Sequence, residues 1–140
     1  MSFVKKLISV TGDLKAGVYE RLSQDENLKG VITGVFDEVK GHQPFPYIVL
    51  GEITANEWSS KTSAGQEVTL TIHTWSEYRG DEEVLDIHRL ILESISKSPL
   101  DLGSGLGVML SRLDSEETTK DLNDKLRHGV MILRFRIMEV

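Results

Sequence analysis

The fold is decided by residues 67–75, Glu-Val-Thr-Leu-Thr-Ile-His-Thr-Trp, in which apolar and polar side chains alternate. The apolar side chains on one side are those of Val68, Leu70 and Ile72. Alternation at period two is typical of a strand with one buried and one exposed face. Residues 47–53 are rich in β-branched and aromatic side chains and predict a second strand. Because the connection between the two is too short for a crossover helix, we expect an antiparallel hairpin.

The clearest helical pattern covers residues 81–95. Its apolar stripe, spaced by three or four positions, consists of Val84, Ile87, His88, Ile91 and Ile95. Asp81 is the candidate N-terminal cap, and Pro99 ends the helix. The same spacing, interrupted by glycines, predicts an N-terminal helix over residues 13–23 with Asp13 as its candidate cap.

Three further segments have strand character: a short one within residues 31–39, then 106–113, then 129–138. The resulting order of elements is α, β, β, β, α, β, β. Strand pairs before and after one long helix predict the α+β class. We expect an antiparallel β-sheet built from hairpins, packed by the long helix and the N-terminal helix. Residues 1–140 are expected to form a single domain, with residues 1–12 as a mobile N-terminal arm.

The charge and the absence of cysteine exclude several kinds of site. Sixteen Lys and Arg residues against 22 Asp and Glu residues give a net charge of −6. Proteins that grip nucleic acid through its phosphates usually carry a basic face, so DNA or RNA binding is not expected as the main activity. The chain has no cysteine, which removes disulfides, thiol nucleophiles and thiolate zinc sites. No stretch approaches the ~20 apolar residues of a membrane span, and we expect no membrane partner.

The sequence contains no pattern that predicts catalysis or a cofactor. The histidines His42, His73, His88 and His128 have no partner at metal-ligand spacing. His88 lies on the apolar helix stripe, where a hydrogen-bonded core residue is expected. The glycines of residues 103–107 lack the third glycine and the preceding strand of a dinucleotide-binding turn. No G-x-S-x-G nucleophile elbow occurs. We therefore expect no catalytic residues, no cofactor and no metal.

Two polar connections, 54–66 and 114–128, are long for loops of a compact domain, and such loops are often functional. The first contains Trp58, which either packs back onto its own sheet or contacts a partner. The second contains five acidic and three basic residues, but not at the spacing of a calcium loop, which favours a solvated loop. The candidate interface residues in the two connections are Trp58, Ser59, Lys61, Glu116, Glu117, Lys120, Asp121 and Asp124.

Four segments together suggest a family. They are Pro-Phe-Pro-Tyr-Ile-Val-Leu-Gly-Glu at 44–52, Gly-Gln-Glu-Val-Thr-Leu-Thr-Ile-His-Thr-Trp-Ser at 65–76, Gly-Asp-Glu-Glu-Val at 80–84, and His-Gly-Val-Met followed by Arg-Phe-Arg within 128–136. With these segments the sequence resembles the tail completion, or tail terminator, proteins of long-tailed bacteriophages and prophages. The resemblance covers about residues 13–140.

The resemblance implies a structural protein of the virion, located at the head–tail interface and present in the host cytoplasm during assembly. It implies a homo-oligomeric ring, a hexamer, that terminates the tail tube and joins it to the head connector. The implied partners are other copies of the chain, the major tail tube protein and the connector or stopper protein. DNA would pass through without specific binding, since an acidic lumen repels phosphates. No catalysis is implied.

Two other classes of function stay open at this point. One is a different head–tail connector component, such as a stopper or an adaptor, which would differ in its partners but not in its chemistry. The other is a small enzyme or ligand-binding domain whose site has no recognisable motif.

Overall fold

The computed structural model describes residues 6–123 and 125–140. The elements are α1 (Thr11–Gln24), α2 (Glu26–Lys29), β1 (Val35–Phe36), β2 (Tyr47–Glu57), β3 (Gly65–Ser76), α3 (Glu82–Ser96), β4 (Leu106–Lys120) and β5 (Arg127–Glu139). The strands form one five-stranded sheet in the order β1-β2-β3-β5-β4. Helices α1 and α3 pack on the sheet, so the predicted α+β class is confirmed.

Both predicted hairpins are present, but the sheet is not antiparallel throughout. Strands β2 and β3 pair antiparallel, as do β4 and β5, and β5 also pairs with β3. The short β1 runs parallel to β2, with Val35 opposite Ile48, so the prediction of a wholly antiparallel sheet is wrong at this edge. Residues 37–46 return the chain to the end of the sheet at which β1 begins, so β2 runs in the same direction as β1. In a hairpin, the second strand would run in the opposite direction.

The core lies between the helices and one face of the sheet. The fully or almost fully buried side chains include Leu14, Val18 and Leu22 of α1, Ile87 and Ile91 of α3, Ile48 and Leu50 of β2, Val68, Leu70 and Ile72 of β3, and Met131, Leu133, Phe135 and Ile137 of β5. Along β3 and β5 every second residue is buried, as the alternation predicts. Removal of this apolar surface from water is the main force that holds helices and sheet together.

The helix limits differ from the sequence expectation in three places. Helix α1 begins at Thr11, and Asp13 lies in its first turn, where a carboxylate interacts favourably with the helix dipole. The short α2 was not predicted, and its cap is Asp25, whose carboxylate accepts the N–H of Leu28 at 3.0 Å. Asp81 occupies the N-cap position of α3 without a capping hydrogen bond, and its carboxylate lies 3.5 Å from Nε of Arg127.

None of the helices within the described ranges is long and apolar enough to cross a membrane.

Both long loops predicted from the sequence are shorter than expected, because part of each is strand. Strand β2 continues to Glu57 and β3 begins at Gly65, so the first connection is a turn of residues 58–64. Strand β4 continues to Lys120 and β5 begins at Arg127, so the second is a turn of residues 121–126. The second prediction failed because β4 is an edge strand with few buried residues along 111–120, so no apolar alternation marks it.

The beginning of the chain contacts the sheet from Lys6 onward. Residues 1–5 of the predicted N-terminal arm lie outside the described residues. The Lys6 ammonium donates to the Glu139 carboxylate at 2.6 Å. Val10 is fully buried, and its N–H donates to Oε1 of Gln66 at 2.8 Å. The division of the chain into a domain and a mobile arm stays a prediction.

Candidate functional site

The face of the sheet opposite the helices, here called the open face, carries a half-buried layer of mixed chemistry. Its side chains on the two central strands are Glu67, Thr69, Thr71, His73 and Trp75 of β3, and His128, Val130, Ile132, Arg134 and Arg136 of β5. An antiparallel sheet with one face on the core and one toward solvent commonly has this division. Side chains of the open face can therefore contact a partner.

A row of ion pairs crosses one half of the open face. The Glu67 carboxylate accepts hydrogen bonds from Arg134 and, at 2.7 Å, from Nε of Arg136. Nε of Arg134 also donates to Asp114 on β4 at 2.8 Å, and Nε of Arg112 donates to the same carboxylate at 3.1 Å. The hydrogen bonds from the arginines hold the pKa of Glu67 and the pKa of Asp114 below their usual values. At neutral pH this row is ionised and links strands β3, β5 and β4.

Trp58 lies on its own sheet and stays partly exposed. Its ring is half-buried, and the guanidinium carbon of Arg136 lies 5.2 Å from the ring centroid, a cation–π distance. The backbone N–H of Trp58 donates to the Gly65 carbonyl at 2.9 Å. Oγ of Ser59 accepts the backbone N–H of Gly65 at 3.0 Å. Lys61 is exposed in the same turn. The turn therefore presents a partly exposed indole and a lysine from a hydrogen-bonded backbone.

Glu116 has a different environment from the one expected. Its Oε2 lies 2.8 Å from Nδ1 of His88, so the carboxylate faces α3 on the helix side of the sheet. His88 is fully buried, as expected for a hydrogen-bonded core residue. Burial lowers the pKa of His88, although the bond to Glu116 acts in the opposite direction. The pair connects the edge strand β4 to the helix layer.

The other candidates of the second connection lie at the end of the β4–β5 hairpin. Glu117 is exposed on β4, and Lys120 is the last residue of that strand. The Asp121 carboxylate accepts the N–H of Lys125 at 2.9 Å and the N–H of Leu126 at 3.3 Å, which closes the turn. Asp124 lies outside the described residues.

Sequence reasoning missed a cluster of rings on the open face. Nδ1 of His73 lies 2.7 Å from Nε2 of His128, and Nε2 of His73 lies 3.0 Å from the Glu52 carboxylate. Trp75 stacks on His128 with 3.9 Å between ring centroids. Burial lowers the pKa of His128, and the neighbouring His73 adds to this effect. Only the register of β3 on β5, with Trp75 opposite His128, brings these rings together.

The ring cluster has the carboxylate–imidazole part of a catalytic relay, but its next group is a second imidazole. A carboxylate orients one imidazole, as in an acid–base pair, yet Nε2 of His128 faces His73 and not a hydroxyl or thiol nucleophile. Among residues 6–123 and 125–140, no three His, Asp or Glu side chains converge as a metal ion would require. The cluster acts as a cross-strand contact that fixes neighbouring strands together.

The two turns that carry the candidate residues lie at opposite ends of the sheet. Gly65, next to the first turn, pairs with Met138, whereas Ser76 at the other end of β3 pairs with Arg127, next to the second turn. The candidate residues therefore do not form one site. They lie in two separate regions, one at each end of the strands.

These observations define an α+β domain whose sheet has one covered and one open face and carries a turn with candidate interface residues at each end. The sequence matches the family of tail completion protein gp17 over residues 16–138. The chain therefore belongs to the tail completion protein family, as the resemblance of its four segments predicted. It is a structural protein of the phage tail and is located in the virion.

Relatives and solved structures agree with this assignment. Tail completion protein gp17 of Bacillus phage SPP1 is 25% identical over 124 residues, which cover 89% of this chain and 91% of that protein. A chain in the structure of the virion of a native gene transfer agent particle has a TM-score of 0.84 at 23% identity, covering 93% of this chain and 98% of that one. The structure of the bacteriophage SPP1 gp17 protein has a TM-score of 0.64 at 24% identity, with 90% and 89% covered. At these identities the solved structures show a shared fold.

Proposed function

We propose that this chain closes the end of the tail tube and joins it to the head connector as a homo-oligomeric, hexameric ring. The observation that carries the proposal is the placement of the two turns, 58–64 and 121–126, at opposite ends of the sheet. A joining protein needs contacts that point in two directions. One turn faces the tube, the other faces the connector or a neighbouring copy, and the sheet between them supplies a rigid body.

The ring requires heterologous contacts, in which one patch meets a different patch on the next copy. Trp58, Ser59 and Lys61 form the candidate contact region at one end of the sheet. The region at the other end contains Glu117, Lys120 and Asp121, and Asp124 is a further candidate by its place in the sequence. Glu116 contributes indirectly, because its bond to His88 holds the edge strand β4 on the helix layer.

The protein acts by docking and transforms no molecule. No cofactor is needed for this role, and the functional partners are other copies, the major tail tube protein and the head connector or stopper. The net charge of −6 suits a ring through which DNA passes, because acidic walls repel phosphates and avoid the counterion-driven adhesion of basic ones.

Mass measurement of the intact protein, alone and with purified tail tubes or head connectors, tests the proposal. We expect multimers that bind one end of the tubes, stop their further polymerisation and also bind connectors. Binding to connectors without binding to tubes would instead identify a stopper or adaptor. A strict monomer that ignores both partners and depletes a small molecule would identify an enzyme and overturn the proposal.

The Trp58→Ala variant tests whether the Trp58 side chain contributes to binding a partner or to folding. We expect a folded protein with impaired ring formation or tube attachment, because part of the Trp58 side chain is exposed and available to a partner. Tyr19→Ala is the matched control, since Tyr19 is 47% exposed on α1, away from both turns. Circular dichroism and tube-binding assays measure the two effects. If Trp58→Ala unfolds the protein, the indole is a core side chain and its role as an interface residue is wrong.

A further inference from the structure

The outer strand β4 has two halves that differ in chemistry. Residues 106–113, here called the apolar edge, contain one charged residue, whereas residues 114–120 contain four and no large apolar side chain. The large apolar side chains of the apolar edge are those of Leu106, Val108, Met109, Leu110 and Leu113. Met109 and Leu113 are 48% and 39% exposed. Only the second half of β4 therefore has the charges with which edge strands usually prevent pairing with another chain.

The apolar edge is open to a further strand. β4 is the last strand of the sheet, and no strand of the described residues lies on its outer side. An edge strand presents a row of backbone N–H and C=O groups with which another strand can pair. The apolar edge thus has both the backbone groups and the side chains that strand addition requires.

A segment of β2 is open in the same way on the other side of the sheet. Within the described part of the chain, β1 pairs with the outer side of β2 at Ile48 and Val49 alone. Residues 53–56, here called the β2 segment, continue the strand beyond this pairing. Their inner side pairs with β3, and their outer side carries no strand among the described residues. The sheet therefore has an open strand segment on each side.

The apolar edge and the β2 segment lie at the same level along the strands. When the strand register is followed from β2 through β3 and β5 to β4, Ile53 is level with Leu113. By the same register, Val49, which β1 covers, is level with Glu117 in the charged half of β4. The apolar half of β4 therefore matches the open part of β2, and the charged half matches the part that β1 already covers.

Strand direction and side-chain chemistry support a second copy as the partner of the apolar edge. Each neighbouring pair from β2 through β3 and β5 to β4 is antiparallel, so β2 and β4 run in opposite directions. A second copy in the same orientation would therefore place its β2 antiparallel to β4, with like faces on the same side. Leu113 pairs with the buried Leu133, and Ile53 pairs with the buried Leu70, so both lie on the helix side. In the joined sheet they would form an apolar cross-strand pair.

We propose that the apolar edge of each copy pairs antiparallel with the β2 segment of the next copy, so that the sheets of successive copies join. This inference rests on the proposed ring and names the contact that builds it. Because the contact is heterologous, any open row of copies has an apolar edge at one end and a β2 segment at the other. Closure into a ring pairs these two and leaves no apolar edge exposed.

A disulfide test uses the absence of cysteine from the native chain. Thr54 and Arg112 are exposed, and the register places them at one level of the sheet. Within one chain, β3 and β5 separate them by three strand spacings, roughly 14 Å, which is too far for a disulfide. The double variant Thr54→Cys with Arg112→Cys, oxidised in its assembled state, should therefore give a ladder of covalently linked copies on a denaturing gel.

Two variants are the controls for this ladder. Thr54→Cys with Thr119→Cys places the second thiol at an exposed position in the charged half of β4 and should give no ladder. Arg112→Cys alone should give no covalent dimer, because the contact does not bring two β4 strands together. Rings or tube-bound protein of the first double variant without a ladder would overturn the contact. Equal ladders from both double variants, or a covalent dimer of Arg112→Cys, would also overturn it.

A proline substitution in the β2 segment provides the second measurement. The backbone N–H of Trp58 donates to Gly65 of β3, and backbone groups at alternate positions of a strand point to the same neighbour. The N–H of Asn56 therefore points to β3, and the N–H of Ala55 points outward. Ala55→Pro should keep the native circular dichroism spectrum and lose at least tenfold in the apparent affinity between copies. Asn56→Pro is the matched control and should lower the thermal transition, because it removes a donor within the sheet.

Leu113→Lys tests the other side of the contact. It places a cation on the apolar edge, and it should keep the thermal transition of the native chain and lose at least tenfold in the same affinity. Leu85→Lys is the matched control, since Leu85 is 47% exposed on α3 and follows Val84, which lies against Gly129 at the level of the charged half of β4. It should bind other copies normally.

A mixture of the two variants tests the heterologous character of the contact. Equimolar Ala55→Pro and Leu113→Lys should give dimers and nothing larger, because only one intact apolar edge and one intact β2 segment can meet. Normal rings from Leu113→Lys would overturn the contact and leave the proposed function standing, and this variant decides the question if Ala55→Pro does not fold. Failure of the native chain to bind tubes or connectors would overturn the proposed function itself.

Discussion

The two faces of the central strands differ in what they do, although their residues alternate along the same chain. On the covered face, Val68, Leu70 and Phe135 are fully buried. On the open face, Glu67 and Arg134, each one position away from such a residue, form ion pairs at half-buried positions. Exposed ion pairs contribute little to stability, whereas buried apolar side chains contribute most of it. Stability is concentrated on one face, and the other is available for contacts.

The largest expected effect is at the covered face. Ile91→Ala removes a fully buried side chain of α3 and should lower the free energy of unfolding by about 2–5 kcal/mol. Ile132→Ala is the matched control on the open face, where the same change should cost less because the site is half-buried and open to water. Urea unfolding measures both. Equal losses of unfolding free energy at the two positions would contradict the conclusion that stability is concentrated on the covered face.

A smaller effect is expected where the helix layer approaches the sheet most closely. A Cβ added at Gly129 would lie 2.4 Å from both Nε2 of His88 and Cγ1 of Val84. Gly129→Ala should therefore destabilise the protein by about 1–3 kcal/mol through overpacking. The control is Gly12→Ala in α1, which meets nothing within 4 Å and should be neutral or stabilising by up to ~1 kcal/mol. If both variants destabilise equally, the close packing at Gly129 is not the cause.

The smallest expected effect is a dependence of stability on pH. Burial lowers the pKa of His88 in the folded state below the value of about 6.5 expected when unfolded. Below that pH the unfolded state binds more protons, so the free energy of unfolding falls as pH falls from about 6.5. One histidine contributes at most ~1.4 kcal/mol per pH unit.

Thermal unfolding between pH 7.5 and 5.5 measures this slope, and His88→Gln should reduce it. His128 contributes in the same direction, because burial and His73 lower its pKa. The lowered pKa values of Glu67 and Asp114 act at more acidic pH, where those carboxylates lose stabilisation as they become protonated. A native chain that becomes more stable as pH falls from 7.5 to 5.5 would contradict the burial of a neutral His88.

The elements predicted best were those with one face on the core. The alternation of β3 and β5 and the apolar stripe of α3 located these elements to within a few residues. The polar half of β4 was predicted as loop, because an edge strand exposed on both faces has no apolar period. The short strand predicted within residues 31–39 is present as β1, but its parallel direction was not predicted, since two residues carry no directional signal.

The candidate site was predicted in part. The sequence located the two segments that carry the candidate residues, but not their placement at opposite ends of the sheet, which depends on the register of β3 on β5. The stack of His73, His128 and Trp75 depends on the same register.

The sequence by itself determined the α+β class, the main helix, the hairpins and the family, because periodicity and short motifs are local properties of the chain. The tertiary structure decided which distant residues meet, such as the Glu116–His88 pair and the rings of the open face. Such pairings join residues far apart in the chain, and their distances are set by strand register and by the packing of α3 on the sheet, which no local pattern encodes.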